Sequence, residues 1–268
     1  MATMQRISEA PTAMIDRVST VLESFVGQRS LTLAEVARRS SLPPSSTHRI
    51  LQRLVELGWV ERSKFDYALG LRMFELGAQV MRQRGLQEAA LPVMTQLHRQ
   101  TGCTVYLSTL AGAEILHLDR VGLWPTGQSS WTVGGRQRAE LCAPGHALLA
   151  SVDPAEWPAL TFASAPTCYS VRSRAQLDRE LWRVRDRGGI AVDAQGYALG
   201  VTVVAAPIEV HDDRGPVALS LCGPTKSVRT DTMIAAVRTG AADIWYAVSG
   251  LPRTRGRSIR PATAVGFR

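Results

Sequence analysis

Residues 31–67 read LTLAEVARRSSLPPSSTHRILQRLVELGWVERSKFDY, and this stretch decides the fold of the N-terminal part of the chain. A helix is predicted to open at Thr32, whose hydroxyl can form a capping box with Glu35. The Leu42-Pro43-Pro44 segment ends that helix and begins the next, because proline is tolerated in a first helical turn. Two short extended runs at 59–62 and 67–69 can then pair as a hairpin. The order is typical of a helix-turn-helix with an adjoining wing.

The second helix of this pair is predicted to have one apolar and one polar face. Its inward residues fall at helical spacing and are Ile50, Leu51, Leu54, Val55 and Leu57. Serine side chains at the helix start can contact base edges, and Arg49 and Arg53, four residues apart, can bind phosphates or guanine. An ordinary helical hairpin with an arginine-coated surface is the alternative, because the pattern alone is a modest signal. The basic hairpin that follows favours DNA.

The length of the chain and the distribution of its charge bear on its domain number, its location and its partners. The chain has 268 residues with 45% apolar content, which favours two domains over one. No apolar run is long enough for a membrane span and the polar start lacks a secretory signal, so we expect a soluble, cytoplasmic protein. Residues 1–85 carry twelve Arg/Lys against eight Asp/Glu, residues 86–250 fourteen against fifteen, and residues 251–268 five against none. The net charge of +8 therefore proves little about the first helices.

The cysteines and histidines give no sign of a metal site. The four cysteines stand far apart without a CxxC pair, and the five histidines show no ligand-like spacing to them. They are Cys103, Cys142, Cys168 and Cys222. Buried free thiols are the expected state. We predict no structural zinc, no disulfide and no cofactor.

The rest of the chain reads as helices around a sheet. Helices are predicted at about 71–84 and 86–100, then at 145–152, 174–187 and 231–249. Two β-rich pairs, 103–109 with 113–121 and 200–210 with 216–222, read as antiparallel strands. A sheet with helices segregated around it is an α+β domain, and such a domain can hold a small ligand against its sheet.

Several motifs occur in order along the chain: LAEVARRSSLPPSSTHRILQRLVELGWVER, ALGLRMFELG, ILHLDRV, CAPGHALLA, GVTVVAAP and LSLCGP. Together they resemble the IclR family of bacterial transcription regulators over nearly all of residues 13–249. The resemblance implies an α+β chain in which an N-terminal winged helix-turn-helix is joined by a linker helix to a GAF-like α/β effector domain. We expect these parts at 13–70, 71–85 and 86–250, followed by a basic, flexible tail at 251–268.

The resemblance also implies which residues bind DNA, and these lie in the second helix of the pair and in the wing. They are Ser45, Ser46 and Thr47 as base-reading candidates, His48, Arg49 and Arg53 as positioning contacts, and Arg62 and Lys64 in the wing. Pro44 stands where the family often has Lys or Arg. We therefore expect one phosphate contact fewer at that position.

The implied effector site has two walls. One is a helix start whose backbone amides favour an acidic ligand, at Ala143, Pro144 and Gly145. The other consists of residues that face the pocket from neighbouring strands, namely Asp193, Val203, Ser220 and Cys222. Ser220 and Cys222 alternate so that both project from one face of a strand.

This sequence departs from the family pattern around that site. His146 replaces the usual Lys or Arg, Glu140 occupies a position often held by His, and Val203 stands where a cysteine is usual. Two positions that are commonly acidic are Gln195 and Gly196. One wall of the pocket is therefore less polar, which puts in doubt the transfer of a small-acid ligand such as glyoxylate. Tyr197 and Trp131 favour an aromatic or larger effector, with packing in a core or interface as the alternative.

The expected function is that of a ligand-responsive, sequence-specific DNA-binding regulator, a repressor controlled by a small organic acid, aromatic acids included. Its partners are double-stranded operator DNA, the effector and a second copy of itself, in a homodimer or homotetramer. A DNA-binding architectural protein without an effector is the first alternative. An enzyme is the second, although the sequence has no GxSxG elbow, P-loop, zinc-type cluster or dinucleotide fingerprint.

Overall fold

The structure is a computed structural model and describes residues 13–124, 129–162, 164–209 and 215–250. The chain divides into two compact units at residues 83 and 84. This division falls inside a helix, α4 (Leu71–Arg84), which covers the predicted linker segment. The basic tail predicted at 251–268 lies outside the described residues. Within the described ranges, no helix is both long and apolar enough to cross a membrane.

Before α4, the described part of the N-terminal unit contains three helices and a small antiparallel sheet of strand order β1-β3-β2. Its elements are α1 (Met14–Glu23), β1 (Leu31–Thr32), α2 (Leu33–Ser40), α3 (Pro44–Glu56), β2 (Val60–Ser63) and β3 (Asp66–Leu69). The helices and sheet close around one apolar cluster in which Val36 and Leu51 are fully buried. The unit is a winged helix-turn-helix.

The predicted capping box at the start of α2 is confirmed. The Thr32 hydroxyl accepts from the Glu35 amide at 3.4 Å, and the Thr32 amide donates to the Glu35 carboxylate at 2.8 Å. Thr32 has a second role that the sequence did not reveal, because Leu31 and Thr32 pair with Tyr67 and Asp66 of the wing. This third strand ties the wing to the helix-turn-helix.

The C-terminal unit is built on a six-stranded antiparallel sheet of order β6-β5-β4-β9-β8-β7. Its strands are β4 (Thr104–Ala111), β5 (Glu114–Val121), β6 (Arg136–Arg138), β7 (Ala191–Ala194), β8 (Val201–Ile208) and β9 (Val217–Pro224). Its helices are α5 (Leu86–Thr101), α6 (Ala143–Ser151), α7 (Arg174–Asp186) and α8 (Thr230–Ser249). Both predicted strand pairs are present. The pairing of β4 with β9, which joins them into one sheet, was not predicted.

Helices cover both faces of this sheet. On one face α5 and α8 meet β9, where Gly240 lies against Leu97 and Leu219. On the other face α6 packs on β8 and β9, and α7 packs on α6 and β7; Ala147, Val184 and Cys222 belong to one buried cluster. Because side chains alternate along a strand, even-numbered β9 residues face α6 and odd-numbered ones face α8. Ser220 and Cys222 therefore share the α6 face.

Gly70 is required where the wing ends. Its amide donates to the Trp59 carbonyl at 2.8 Å, and a Cβ on Gly70 would collide with the carbonyl oxygen of Gly58. We expect Gly70→Ala to lower the free energy of unfolding by about 2 kcal/mol, because overpacking against backbone is not easily relieved. Gly77→Ala is the matched control: its Cβ meets no atom within 4 Å, and alanine should stabilise α4 by about 1 kcal/mol. Denaturant unfolding measures both. Equal midpoints for Gly70→Ala and the wild type would contradict this packing.

Candidate DNA-binding surface and effector site

The exposed side of α3 forms a stripe of polar side chains. Ser45, His48, Arg49 and Gln52 are all exposed and follow the spacing i, i+3, i+4 and i+7, which places them on one face of a helix. Ser46 is half-buried beside them. The opposite face packs into the apolar cluster of the unit. The sequence folds this way because its apolar residues recur with the period of a helix.

Thr47 does not belong to this stripe, and its predicted role in base reading is wrong. Its side chain is fully buried, and its hydroxyl donates to the Pro43 carbonyl at 3.1 Å. The reason is the helical period, since Thr47 precedes Ile50 and Leu51 by three and four residues and shares their inward face. The base-reading candidates that remain accessible are Ser45, Ser46 and the neighbouring His48 and Arg49.

The other predicted DNA contacts are exposed but engaged locally. Arg53 donates to Glu56 at 2.8 Å, and both side chains of this ion pair are more than half exposed. Exposed pairs of this kind are weak, so Arg53 can exchange Glu56 for a phosphate. In the wing, Arg62 donates through Nε to the Lys64 carbonyl at 3.2 Å, and its guanidinium lies 5.5 Å from the centre of the Tyr67 ring.

Two basic residues were missed by the sequence analysis. Arg38 and Arg39 stand in the last turn of α2 and are exposed, while Val36, Ala37 and Ser40 around them are buried. The signal was available, because two adjacent arginines on an amphipathic helix before the turn face away from its apolar side. The first helix of such a pair crosses the DNA backbone, where arginines suit phosphates.

In the C-terminal unit, the structure brings the strand residues of the predicted effector site together. Asp193, Val203 and Cys222 lie directly opposite one another across β7, β8 and β9. Ser220 follows in the next row, between Tyr106 of β4 and Ala205 of β8. All of the four predicted strand residues are buried. Ala143, at the start of α6, belongs to the same cluster as Val203 and Cys222.

The start of α6 offers few free amides. Pro144 has no N–H, the His146 amide donates to the Cys142 carbonyl at 2.9 Å, and the Gly145 amide faces the Cys142 sulfur. Gly145 also packs on Ala139 so closely that a Cβ would overlap the Ala139 backbone. A ligand carboxylate would therefore find fewer free N–H donors here than a helix start normally provides.

A buried polar cluster adjoins this helix start. His146 is hydrogen-bonded through Nε2 to the Glu140 carbonyl at 2.9 Å, and the Glu140 carboxylate accepts from Arg138 Nε at 2.6 Å. Within the described residues, His146 Nδ1 and one oxygen of Glu140 have no hydrogen-bond partner. Buried polar atoms of this kind are costly unless something completes them.

Asp193 has a structural task inside the site. Its carboxylate accepts from the amides of Gly196 at 2.6 Å and Tyr197 at 3.0 Å. Burial raises the pKa of Asp193, and the nearby His146 partly opposes that shift. A Cβ at position 196 would meet the Asp193 carboxylate, so any larger residue there would require this carboxylate to shift. The carboxylate therefore holds the turn that presents the Tyr197 ring.

Four aromatic rings line the α6 side of the sheet. Tyr106 lies 4.6 Å from His117 and 5.9 Å from Trp131, measured between ring centres, and Tyr197 meets Trp131 edge-on at 5.4 Å. The Tyr106 hydroxyl donates to the Trp131 carbonyl at 3.2 Å. The sequence analysis singled out Trp131 and Tyr197. It missed Tyr106 and His117 because both lie inside strands, where neither residue stands out from ordinary core.

A cleft of about 350 Å³ opens beside Tyr197. Its lining is formed by Glu114, Arg136, Gln137, Arg138, Leu141, Ser164, Ala165, Pro166 and Tyr197. The arginines are balanced by carboxylates, since Arg136 approaches Glu114 at 3.4 Å and Arg138 binds Glu140. This volume lies at the small end of ligand pockets, and the lining is more polar than is usual for them.

All four cysteines are free, and only Cys168 is exposed. Burial raises the pKa of Cys142 and of Cys222 well above the ordinary range for a thiol. In the part of the chain that the structure describes, no group of three or more His, Cys, Asp and Glu side chains could hold a metal ion. The buried thiols serve as small apolar groups.

A winged helix-turn-helix in one chain with a buried polar and aromatic site defines a DNA-binding transcriptional regulator that responds to a ligand. Two family descriptions match: the IclR helix-turn-helix domain over residues 14–64, and the bacterial transcriptional regulator IclR C-terminal domain over residues 78–246. The chain belongs to the IclR family of bacterial transcriptional regulators.

Named relatives and a solved structure agree with this assignment. The chain is 28% identical to the HTH-type transcriptional regulator BhcR of Paracoccus denitrificans over 243 residues, covering 88% of this chain and 87% of that protein. It is 27% identical to the transcriptional repressor IclR of Escherichia coli over 233 residues, covering 83% and 84%. The crystal structure of an IclR homologue from Microbacterium hydrocarbonoxydans, complexed with 4-hydroxybenzoate, superposes with a TM-score of 0.76 at 26% identity, covering 89% of this chain and all of that one.

His117 should make the stability of the C-terminal unit sensitive to acid. Burial lowers the pKa of His117 to about 4, helped by Arg120 and opposed by the Ser130 backbone. The folded state keeps the ring neutral while the unfolded chain binds a proton near the ordinary pKa of 6.5, so stability is complete above that pH and is lost as pH falls towards 4. We expect a loss of about 2 kcal/mol between about pH 7.5 and about pH 5.

The measurement is denaturant unfolding at several pH values, with His117→Gln as the matched variant because glutamine stays neutral throughout. The difference in unfolding free energy between wild type and variant should shrink by that amount on acidification. A difference that stays constant with pH would show that His117 does not titrate as the structure requires.

Proposed function

We propose that this regulator is a cytoplasmic repressor that reads a roughly two-fold-symmetric operator as a homodimer or homotetramer and is controlled by a small aromatic acid. The observation that carries the DNA half of the proposal is the exposed stripe of Ser45, His48, Arg49 and Gln52 on α3. Cytoplasmic location follows from the partner, which is chromosomal DNA. Repression is supported by relatives named as repressors, among them the acetate operon repressor of Salmonella typhimurium.

The stripe suits the major groove. A recognition helix contacts base edges with its N-terminal residues, and the first two turns of α3 carry the exposed hydroxyl, imidazole and guanidinium groups. An arginine can bind guanine through two hydrogen bonds, which makes Arg49 the strongest candidate for sequence readout. Arg38, Arg39 and Arg53 lie on exposed surfaces suited to phosphates. Two copies related by a two-fold axis would read two half-sites about one helical turn apart.

The aromatic-acid proposal rests on the Tyr197 ring, which lines the cleft. Tyr197 is shared by the cleft and the aromatic cluster, so a flat ligand entering the cleft meets an aromatic edge or face first. Leu141 supplies an apolar part of the lining, and Arg136 and Arg138 are guanidinium groups that a ligand carboxylate could share with Glu114 and Glu140. The relative solved with 4-hydroxybenzoate supports a ligand of this class. A small acid without a ring would leave the aromatic wall uncovered.

We infer no catalytic role for the polar cluster. A nucleophilic thiol needs a lowered pKa or an adjacent base, whereas burial raises the pKa of Cys142 and the His146 Nε2 atom is directed to the Glu140 carbonyl. Asp193 has both oxygens on backbone amides.

Arg49→Ala tests the DNA-reading stripe. We expect operator affinity to fall by about 5- to 150-fold, because a good arginine–guanine contact is worth about 1–3 kcal/mol. Arg179→Ala is the control, since Arg179 is an exposed arginine of α7 in the other unit and removes the same charge. Fluorescence anisotropy with an operator selected from random DNA by the wild-type protein gives both affinities. Unchanged binding by Arg49→Ala would contradict the assignment of α3.

Tyr197→Ala tests the effector site, with Tyr197→Phe as the control that keeps the ring. In the wild type, 4-hydroxybenzoate should change operator affinity by about 5- to 150-fold, the range of ordinary allosteric coupling. The alanine variant should bind the operator normally and lose this response, and the phenylalanine variant should keep most of it. If no aromatic acid alters operator affinity, the alternative of an architectural protein gains and this half of the proposal fails.

A further inference from the structure

The tip of the wing carries an exposed phenyl ring. Ser63 and Asp66 form the last pair of the β2–β3 hairpin, so Lys64 and Phe65 make a two-residue loop. Phe65 is 80% exposed and therefore contributes little to the apolar cluster of the unit. Single exposed apolar side chains are common and need no explanation by themselves. The backbone conformation of the loop and the contacts that hold it indicate a function for this ring.

The loop uses residues that a hairpin of this length does not favour. Lys64 has a φ of 55°, in the left-handed region where Gly and Asn are the usual residues. A side chain at such a position costs about 1 kcal/mol. Of the two loop residues only Lys64 has a positive φ, so a glycine at position 64 would make the same turn with less strain. Strained backbone of this kind concentrates at functional sites, which indicates that the side chains of Lys64 and Phe65 matter more than the turn itself.

The tip is also braced. Arg62 donates to the Lys64 carbonyl at 3.2 Å and lies over the ring of Tyr67, which is 3% exposed in the core. On the far side of β3, Thr32 of β1 pairs with Asp66. The phenyl ring of Phe65 is thus presented from a loop that is held by both neighbouring strands. An ordered, projecting apolar group fits insertion into a partner, because little freedom is lost on binding.

We propose that Phe65 is a wedge that enters the DNA minor groove beside each half-site and partly unstacks a base step, kinking the operator. DNA is the occupant that the surroundings favour, because Lys64 supplies positive charge at the loop and α3 of the same unit presents the DNA-reading stripe. Phe is among the side chains that proteins insert in this way, and flexible pyrimidine–purine steps are the preferred sites. The inference goes beyond the proposed function, which assigns no role to Phe65.

The test uses the full-length protein and the selected operator, with 2-aminopurine placed at steps flanking each half-site and a fluorescence-transfer pair reporting the bend. Wild-type binding should raise 2-aminopurine emission at one flanking step and bend the DNA. Phe65→Ala should abolish both signals and weaken binding by about tenfold, in line with the loss of one ring–base stacking contact. The variant should fold normally, because Phe65 is exposed.

Two further variants separate the ring from charge. Phe65→Leu should keep the bend and the emission signal, since leucine can also act as a wedge. Lys64→Ala should weaken binding and lower its salt dependence by about one counterion while keeping the bend. A bend and an emission signal that survive in Phe65→Ala would overturn the proposal. The proposal would also be overturned if Phe65→Ala changed the oligomeric state of the DNA-free protein. Such a change would show that the ring contacts another protein chain. Failure of the wild type to select any DNA would instead sink the proposed function.

Discussion

Helix α3 must serve a core and a surface at the same time, and its period of 3.6 residues decides which side chain does which. Thr47, Ile50, Leu51 and Leu54 are buried, and this anchors the helix on α1 and α2. The same period turns Arg49 and its neighbours outward. DNA reading by α3 depends on this division. A shift of the helical pattern by one residue would bury Arg49 and expose core residues.

In the C-terminal unit the corresponding constraint is the two-residue alternation of strands. The register of β7, β8 and β9 places Asp193, Val203 and Cys222 in one row on the face that α6 covers. The neighbouring row adds Ser220 and Tyr106. Asp193 then holds the turn that carries Tyr197, so the aromatic wall of the cleft is fixed by a carboxylate that need not touch the ligand. The buried Asp193 side chain thus links the register of the sheet to the position of the Tyr197 ring in the proposed effector site.

Local signals in the sequence predicted the local structure well. The capping box at Thr32, the proline start of α3 and the two strand pairs depend on residues that are near one another in the chain, and these are present. The predictions that failed or were not made depend on contacts between residues far apart in the chain, or on which face of a helix a residue occupies. Thr47 was placed on the wrong face of α3, and the pairing of β4 with β9 joins segments separated by several helices. Tyr106 and His117 became recognisable only once the sheet had brought them to Trp131.

The most direct test of the account is methylation protection of guanine N7 on the selected operator, with and without 4-hydroxybenzoate. Guanine N7 lies in the major groove, where α3 is proposed to bind. The account predicts protected guanines in two symmetric half-sites about one helical turn apart, and a footprint that weakens or shifts when the ligand is added. Guanines that stay fully reactive at N7 in the protein–DNA complex, or a footprint that no aromatic acid alters, would contradict it.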